Sequence, residues 1–424
     1  MSKEKKNIWV FHHYATPPTM NGFTRPYNFA VHMNEEGFKT TVFAASYLHF
    51  SDLNLIEDDR DFVTETHSDV EFVFVKTPSS AKSTIARVKN MLTYYLRLFS
   101  ATNKYSIETK EKPDVIYASS PHPLALIAGI KVAKKYEVPC IVEVRDLWPE
   151  TIFAFGKAKE NSLLGRFLIA GEHWIYKKAD AIIFLKEGDI DYLKEKKWLN
   201  SHGGDIEIQK CHYINNGVDL EAFNKQISEE TFKDNDLNND KFNVVYTGAI
   251  RPINNVGNIL DAAKLLLDKE EIQFLIYGDG NQLEMLTKRV KDEKITNVKM
   301  KGYVDKKHMP YVLSKSSVNI LNYSQSKYNW SRGNSSNKLF EYMASGKSII
   351  STVKMGYSPI EKYDCGVSLE EDTPEALAEA ILKIHNMSKD RYNKISENAK
   401  KGAKDFDYKV LTKKLISVME SQLL

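Results

Sequence analysis

The chain has 424 residues, 42% of them hydrophobic and 27% charged. That is the composition of an ordinary globular protein, too long for one compact core, so two domains of about 200 residues are expected. Its 59 basic and 56 acidic side chains leave a formal charge of +3, which excludes the strong global field a nucleic-acid partner would call for.

The first residues, MSKEKKNIWVFHHY, hold an apolar run too short and too polar for a signal peptide. Residues 7–11 read as a strand ending in His12 and His13, and a loop with Pro17, Pro18 and Gly22 follows. A helix is expected over 25–36, then a strand over 39–44, which makes a right-handed βαβ unit. The pattern recurs with a strand at 114–118, a helix at 124–135 and strands at 139–144, 179–184 and 212–215. Residues 224–240 turn polar and rich in Asn and Asp. After them come a strand at 243–248, a helix at 256–269 and strands at 273–280, 298–302, 318–321 and 348–352. Such alternation implies two parallel sheets with helices on both faces, whose ligands lie beyond the carboxyl ends of the strands. The expected organisation is an N-terminal domain over 1–222, a linker region over 223–240 and a C-terminal domain over 241–405. A last helix at about 406–424 is expected to pack back on the first domain.

Residues 81–104 stand apart. Ile85, Val88, Met91, Leu92, Tyr95, Leu96 and Phe99 fall at helical spacing among Lys82, Arg87, Lys89, Arg97 and Lys104, with no acid. Two readings stand: a basic amphipathic helix lying on an anionic bilayer, or a domain helix whose apolar stripe faces the core. No stretch reaches the 18 or more apolar residues of a spanning helix. Cys140, Cys211 and Cys365 have neither metal spacing nor the even count of a disulfide framework. A cytoplasmic chain is expected, free or peripheral on the inner face of the cell membrane.

The most specific signal is SSNKLFEYMASGKS at 335–348. Leu339, Tyr342 and Met343 give one apolar helix face, which sets Lys338 at the helix start and Glu341 one turn in. Free amides at a helix N-terminus favour a phosphate, Lys338 adds a charge, and Glu341 can accept hydrogen bonds from both hydroxyls of a ribose. A capped surface helix is the plain alternative.

Other segments accompany it in order: NNGVDLEAF at 215–223, YTGAI at 246–250, IYGDGNQLEML at 276–286 and KGYVDKKHMPYVLSKSSVNI at 301–320. The ordered set resembles the family-4 retaining glycosyltransferases of the GT-B fold, two Rossmann-like domains whose parallel sheets face a central cleft. The loop PPTMNGFTRPYNFAVHMNEEGFKTTVFA and VEVRDLWPE at 142–150 are similar to the subgroup that builds capsule, O-antigen, lipopolysaccharide and related surface glycans.

The resemblance implies roles residue by residue. Glu341 matches the second acid of the family's Glu-x7-Glu motif, on the donor ribose; the first would fall at Gly333, so this chain lacks it, and Arg332 and Asn334 are the candidates for the donor sugar. The family's diphosphate clamp, an Arg behind Gly248 and a Lys six residues on, is replaced by Ala249 and Asn255. Arg251 is displaced by two, and Lys338 becomes the expected cation. Gly302, Tyr303 and Val304 match the turn that reads the base. Gly278, Gly280 and Leu339 complete the expected nucleotide site. In the first domain Gly22 and Arg25 lie in the acceptor loop, Arg145 and Asp146 follow a buried strand, and His12, His13 and His122 end strands as candidate acceptor contacts.

The implied reaction moves a hexosyl or N-acetylhexosaminyl group from a UDP-sugar to a glycan or polyprenyl-linked oligosaccharide, with no metal and no cofactor. Neither Asp189-Ile-Asp191 nor Asp234-Asn-Asp236 makes a convincing metal motif. A catalytically impaired binding partner and a nucleotide-sugar epimerase are the rival readings, the former drawing on Gly333. No G-x-G-x-x-G follows the first strand, which disfavours a dehydrogenase. The oligomeric state stays open.

Overall fold

The structure is a computed structural model that describes residues 5–20, 22–49, 51, 53–80, 83–154, 156–229, 232–327 and 329–423. The chain divides into two compact units, Met1–Asn215 with Leu411–Leu424, and Asn216–Val410.

The first unit holds strands β1 (Asn7–Phe11), β2 (Lys39–Ala45), β3 (Phe62–His67), β4 (Val70–Val75), β5 (Val115–Ser119), β6 (Cys140–Val144), β7 (Ala181–Phe184) and β8 (Cys211–Tyr213). They form one sheet in the order β3-β4-β2-β1-β5-β6-β7-β8. All described pairings are parallel except β3 with β4. β1 is buried throughout, as a central parallel strand covered on both faces must be, and its unbroken apolar run follows from that. The core places Trp9, Phe11, Phe43, Val73, Tyr94 and Tyr105 together. The hairpin of β3 and β4 has no counterpart in the sequence reading.

The second unit holds β9 (Phe242–Thr247), β10 (Ile272–Tyr277), β11 (Val298–Gly302), β12 (Val318–Leu321), β13 (Ser348–Ser351) and β14 (Gly366–Ser368). Their order is β11-β10-β9-β12-β13-β14, and every pairing is parallel.

Two expectations are corrected. The boundary falls at 215/216 rather than 222, and residues 223–240 are no linker. The helix Leu220–Glu229 opens the second unit, and Phe223 and Leu237 are buried in its core beside Tyr277, Phe340 and Phe406. Lys301 binds Asp234 and Asp236 at 2.8 Å each, and the Tyr277 hydroxyl donates to Asp234 at 2.9 Å. A few apolar anchors and paired acids suffice to dock a segment whose composition is polar. Its residues 230 and 231 lie outside the described residues. Leu411, Leu415 and Met419 of the C-terminal helix Tyr408–Ser421 are buried, and this stretch belongs to the first unit.

The basic helix spans Thr84–Thr109; Lys82 lies outside the described residues. Its buried face is Asn90, Tyr94, Leu98, Ala101, Thr102 and Tyr105. The expected apolar stripe lies largely elsewhere: Ile85 is 81% exposed and Leu96 64%, with Val88 and Leu92 also exposed, while Tyr95 and Phe99 pack partly on the core. The reading of that stripe as core-facing is overturned for these four aliphatic residues.

Candidate active site

In the second unit the strand ends are drawn close. A Cβ on Gly278, at φ 147°, would fall 1.7 Å from the Gly248 carbonyl oxygen, and one on Gly280 would fall 2.3 Å from that of Ile250. Both glycines are therefore required by the packing of the loops after β9 and β10 on each other. The helix Asn337–Ala344 follows β12. Its N-cap Ser336 makes no side-chain capping bond.

Lys338 sits at this helix start. Its residue is only half-buried, yet its Nζ is closed off from solvent and has no hydrogen-bond partner. The ammonium lies 4.3 Å from the ring centre of Tyr323 and 4.8 Å from that of Tyr246, and 3.7 Å from where a Gly248 Cβ would stand. Burial pushes its pKa down to about 7. Two aromatic faces stabilise a cation but accept no full hydrogen bond, so the group remains one anion short. Glu341, one turn on and 20% exposed at its side chain, has Lys306 Nζ at 3.7 Å.

Other expected donor residues are placed as follows. Leu339 is a core residue, 0% exposed, and its amide donates to the Ser336 carbonyl; its expected nucleotide contact is corrected, because the apolar helix face it belongs to turns inward. Arg251 is exposed. Arg332 and Asn334 are buried, and Asn334 Oδ1 accepts from the Ser336 amide at 2.7 Å. Tyr303 is 64% exposed after Gly302, and Val304 packs partly on the core. Gly333 adopts φ 105° in a turn closed by its amide and the Trp330 carbonyl. An acid there would carry a Cβ penalty, so the missing first carboxylate follows from the shape of the turn.

In the first unit the carboxyl ends of β1, β5 and β6 meet around Glu143, which the sequence reading passed over. Its carboxylate accepts from Arg25 Nε at 2.9 Å and Nη2 at 2.7 Å, from Ser119 at 2.6 Å, and from the Tyr117 hydroxyl. Burial alone would raise its pKa, but Arg25 and Arg145 with these hydrogen bonds hold it down at about 2. Arg25 also donates to the carbonyls of Ile214 and Asn215. Its expected acceptor role is thus corrected: a fully engaged buried guanidinium is a structural tie. Arg145 stacks over Phe23 at 5.4 Å with Nη1 3.9 Å from Glu143, and Asp146 is exposed.

The three histidines lie in the loops after β1 and β5 and are buried. His13 Nε2 lies 2.6 Å from Asn90 Oδ1 and its Nδ1 lies 2.6 Å from His122 Nε2. Burial lowers all three pKa values, that of His122 to about 3. In the neutral chain of bonds His13 donates to Asn90, His122 donates to His13, and His122 Nδ1 is left as a bare acceptor. His13 is consumed within this chain, so its expected contact with acceptor is corrected. His12 has no hydrogen-bond partner on either ring nitrogen. Gly22 is exposed, and a Cβ there would meet Thr16 Oγ1 at 2.4 Å; close packing accounts for it.

Two α/β units with largely parallel sheets, the second with a shielded ammonium at a helix start, have the architecture of the GT-B fold. The glycosyl transferases group 1 profile matches residues 227–402, and the glycosyl transferase 4-like domain profile matches 24–199. The chain belongs to the family-4 GT-B glycosyltransferases. It is 26% identical over 271 residues to TuaH of Bacillus subtilis (strain 168), named as a teichuronic acid biosynthesis glycosyltransferase. That similarity spans 61% of this chain and 62% of the relative's length. Among solved structures it is similar to sucrose-phosphate synthase from Thermosynechococcus elongatus (TM-score 0.70, 14% identity, 98% and 99% of the two chains). It is also similar to Anabaena HepE in complex with UDP-glucose (0.63, 15%, 98% and 99%), and to WaaG, a glycosyltransferase involved in lipopolysaccharide biosynthesis (0.64, 14%, 97% and 99%). At these identities the likeness is one of fold.

Proposed function

We propose that the protein transfers a sugar from a UDP-sugar to a glycan or polyprenyl-linked oligosaccharide in surface polysaccharide synthesis, with retention and without a metal or cofactor. The observation that carries this reading is the Lys338 ammonium, shielded, without a hydrogen-bond partner and beside an uncapped helix start. A diphosphate supplies the anion that this group lacks, and charge developing on it during bond cleavage is stabilised where water is excluded. Glu341 takes the ribose hydroxyls. The bond from the anomeric carbon to the diphosphate breaks while an acceptor oxygen bonds to that carbon on the same face. The acceptor proton passes to the departing phosphate oxygen, so no separate base is required, and Asp146 orients the acceptor. HepE, solved with UDP and with UDP-glucose, supports the choice of base. The names of TuaH and WaaG support the surface-glycan setting.

The exposed stripe Ile85, Val88, Leu92 and Leu96, beside exposed Arg87 and Lys89, supports peripheral binding to an anionic membrane. Among the described residues no helix is long and apolar enough to cross one. Incubation with a panel of UDP-sugars and candidate acceptors tests the reading: acceptor-dependent release of UDP with the anomeric configuration kept is expected. Binding of UDP with no release under any pairing would favour the impaired-partner reading, and interconversion of the sugar without net release would favour an epimerase.

A further inference from the structure

The first unit contains a cavity of about 330 Å³ that the donor chemistry does not use. Its walls come from Met91, Leu124, Ile127, Trp148, Ile152 and Leu168, among others, so they are overwhelmingly apolar. The size falls within the range of ligand pockets. One polar group in the wall, Glu172, is already satisfied, since the hydroxyls of Tyr176 and Tyr192 donate to it at 2.7 and 2.6 Å.

The lining residues differ in exposure. Ser120, His122 and Asp146, which follow β5 and β6, are among them. His122 is 1% exposed and its Nδ1 is an acceptor with no partner. Phe167, also in the lining, is 73% exposed. Phe167 stands on the helix Leu163–Lys178 with Leu163 and Leu164, 88% and 54% exposed. A patch of this kind is costly in water and marks an interaction surface. Exposed Arg166 on the same helix, and Arg87 and Lys89 on the helix Thr84–Thr109, add positive charge around it.

We propose that this cavity binds the hydrocarbon chain of a glycolipid acceptor. The chain enters past Phe167, and the hydroxylated head meets Ser120, His122 Nδ1 and Asp146. This rests on the acceptor being lipid-linked, as in the function proposed above. An apolar cavity, an unmatched acceptor in its lining and an exposed apolar patch continuous with that lining, with cationic side chains near it in sequence, together fit one amphiphile. None of the three is explained by the nucleotide sugar.

Gly171 offers a clean perturbation. It lines the cavity, and a Cβ on it would meet nothing within 4 Å. A side chain can therefore start from this position without strain at its Cβ, and Gly171→Phe places a ring at the cavity wall while removing a glycine from a helix interior, which favours folding. The probes are decyl maltoside below its micelle concentration, octyl maltoside and maltose, each titrated into the full chain, with UDP binding measured in parallel. Decyl maltoside is expected to bind, octyl maltoside about tenfold more weakly for its two missing methylenes, and maltose not detectably. Gly171→Phe is expected to weaken decyl maltoside at least tenfold and leave UDP binding unchanged; Phe167→Asp, at an exposed position, is expected to weaken it as well. Equal affinity for the three probes, or full affinity in Gly171→Phe, overturns the proposal. Loss of UDP binding from the wild-type protein with chain-length dependence intact would sink the donor assignment and leave this one standing.

Discussion

Lys338→Met keeps the length and packing of the side chain and removes its charge. In the empty protein burial holds the ammonium at a pKa of about 7, so about half of the molecules carry it at that pH and about a tenth at one unit above. A diphosphate binds the charged form, and a hydrogen bond to a charged group contributes about 1.5–3 kcal/mol. Titrating UDP by calorimetry between pH 7.5 and 9.5 should show affinity falling toward tenfold per unit, levelling off at the raised pKa of the bound state. The phosphate's own second ionisation, near pH 6, is complete over this range. The groups facing Lys338 do not interfere, since burial raises the Tyr246 and Tyr323 hydroxyls, the latter to about 12.

Because about a quarter of the empty protein carries the charge at pH 7.5, the Met variant should bind UDP about fourfold to fortyfold more weakly there, with a flat profile. Stability of the empty protein supplies the second readout. The folded pKa lies below the unfolded one, so between about 7 and 10.5 the unfolded chain holds more protons and stability rises with pH. Lys338→Met should abolish that slope and raise the urea midpoint at pH 7. A flat wild-type profile, or a Met variant that keeps the wild-type one, refutes the reasoning.

Glu341→Ala should lower turnover at least tenfold, about 1.4 kcal/mol of barrier, and should abolish the preference for UDP over 2′-deoxy-UDP; an unchanged preference would remove it from the ribose. Arg25→Met leaves the Glu143 carboxylate buried without its main partner and should cost about 3–5 kcal/mol in urea unfolding. In the wild-type protein the lowered pKa of Glu143 contributes stability above about 4.5 that is lost as pH falls toward about 2; acid unfolding that begins well above this window would assign the transition to other groups. Arg87→Glu with Lys89→Glu should weaken sedimentation with anionic vesicles, and added salt should do the same. Salt-independent binding would discard the electrostatic part of the membrane reading.

Strands buried on both faces are legible because their composition is the consequence of that burial: β12 and β1 match the expected bounds to the residue. The β3–β4 hairpin is not. β3 is an edge strand of half-exposed residues, FVTETH, and the turn into β4 uses Ser68 at φ 53° where a glycine would have signalled it. The run VEFVFV of β4, buried at five of its six positions, carries the sequence signal of the hairpin. Lys338 and Glu341 were legible because one helical face fixes the positions of the others. Glu143 escaped because a carboxylate inside an apolar strand only makes sense once Arg25, far away in sequence, is seen beside it. Burial of the histidines is likewise a property of what folds around them. The polar stretch 223–240 misled because docking depends on a few anchors, not on mean composition.

The return of Leu411–Leu424 to the first unit bears on how the chain is made. Roughly 200 residues of the second unit emerge from the ribosome between the two parts of the first, which at about 5–20 residues per second takes on the order of 10–40 s. Over that interval the surface that Leu411, Leu415 and Met419 will cover stays bare. The half translated first is thus the half completed last, and these turns of helix act as a closing latch on a nascent domain whose apolar surface is bare until they emerge.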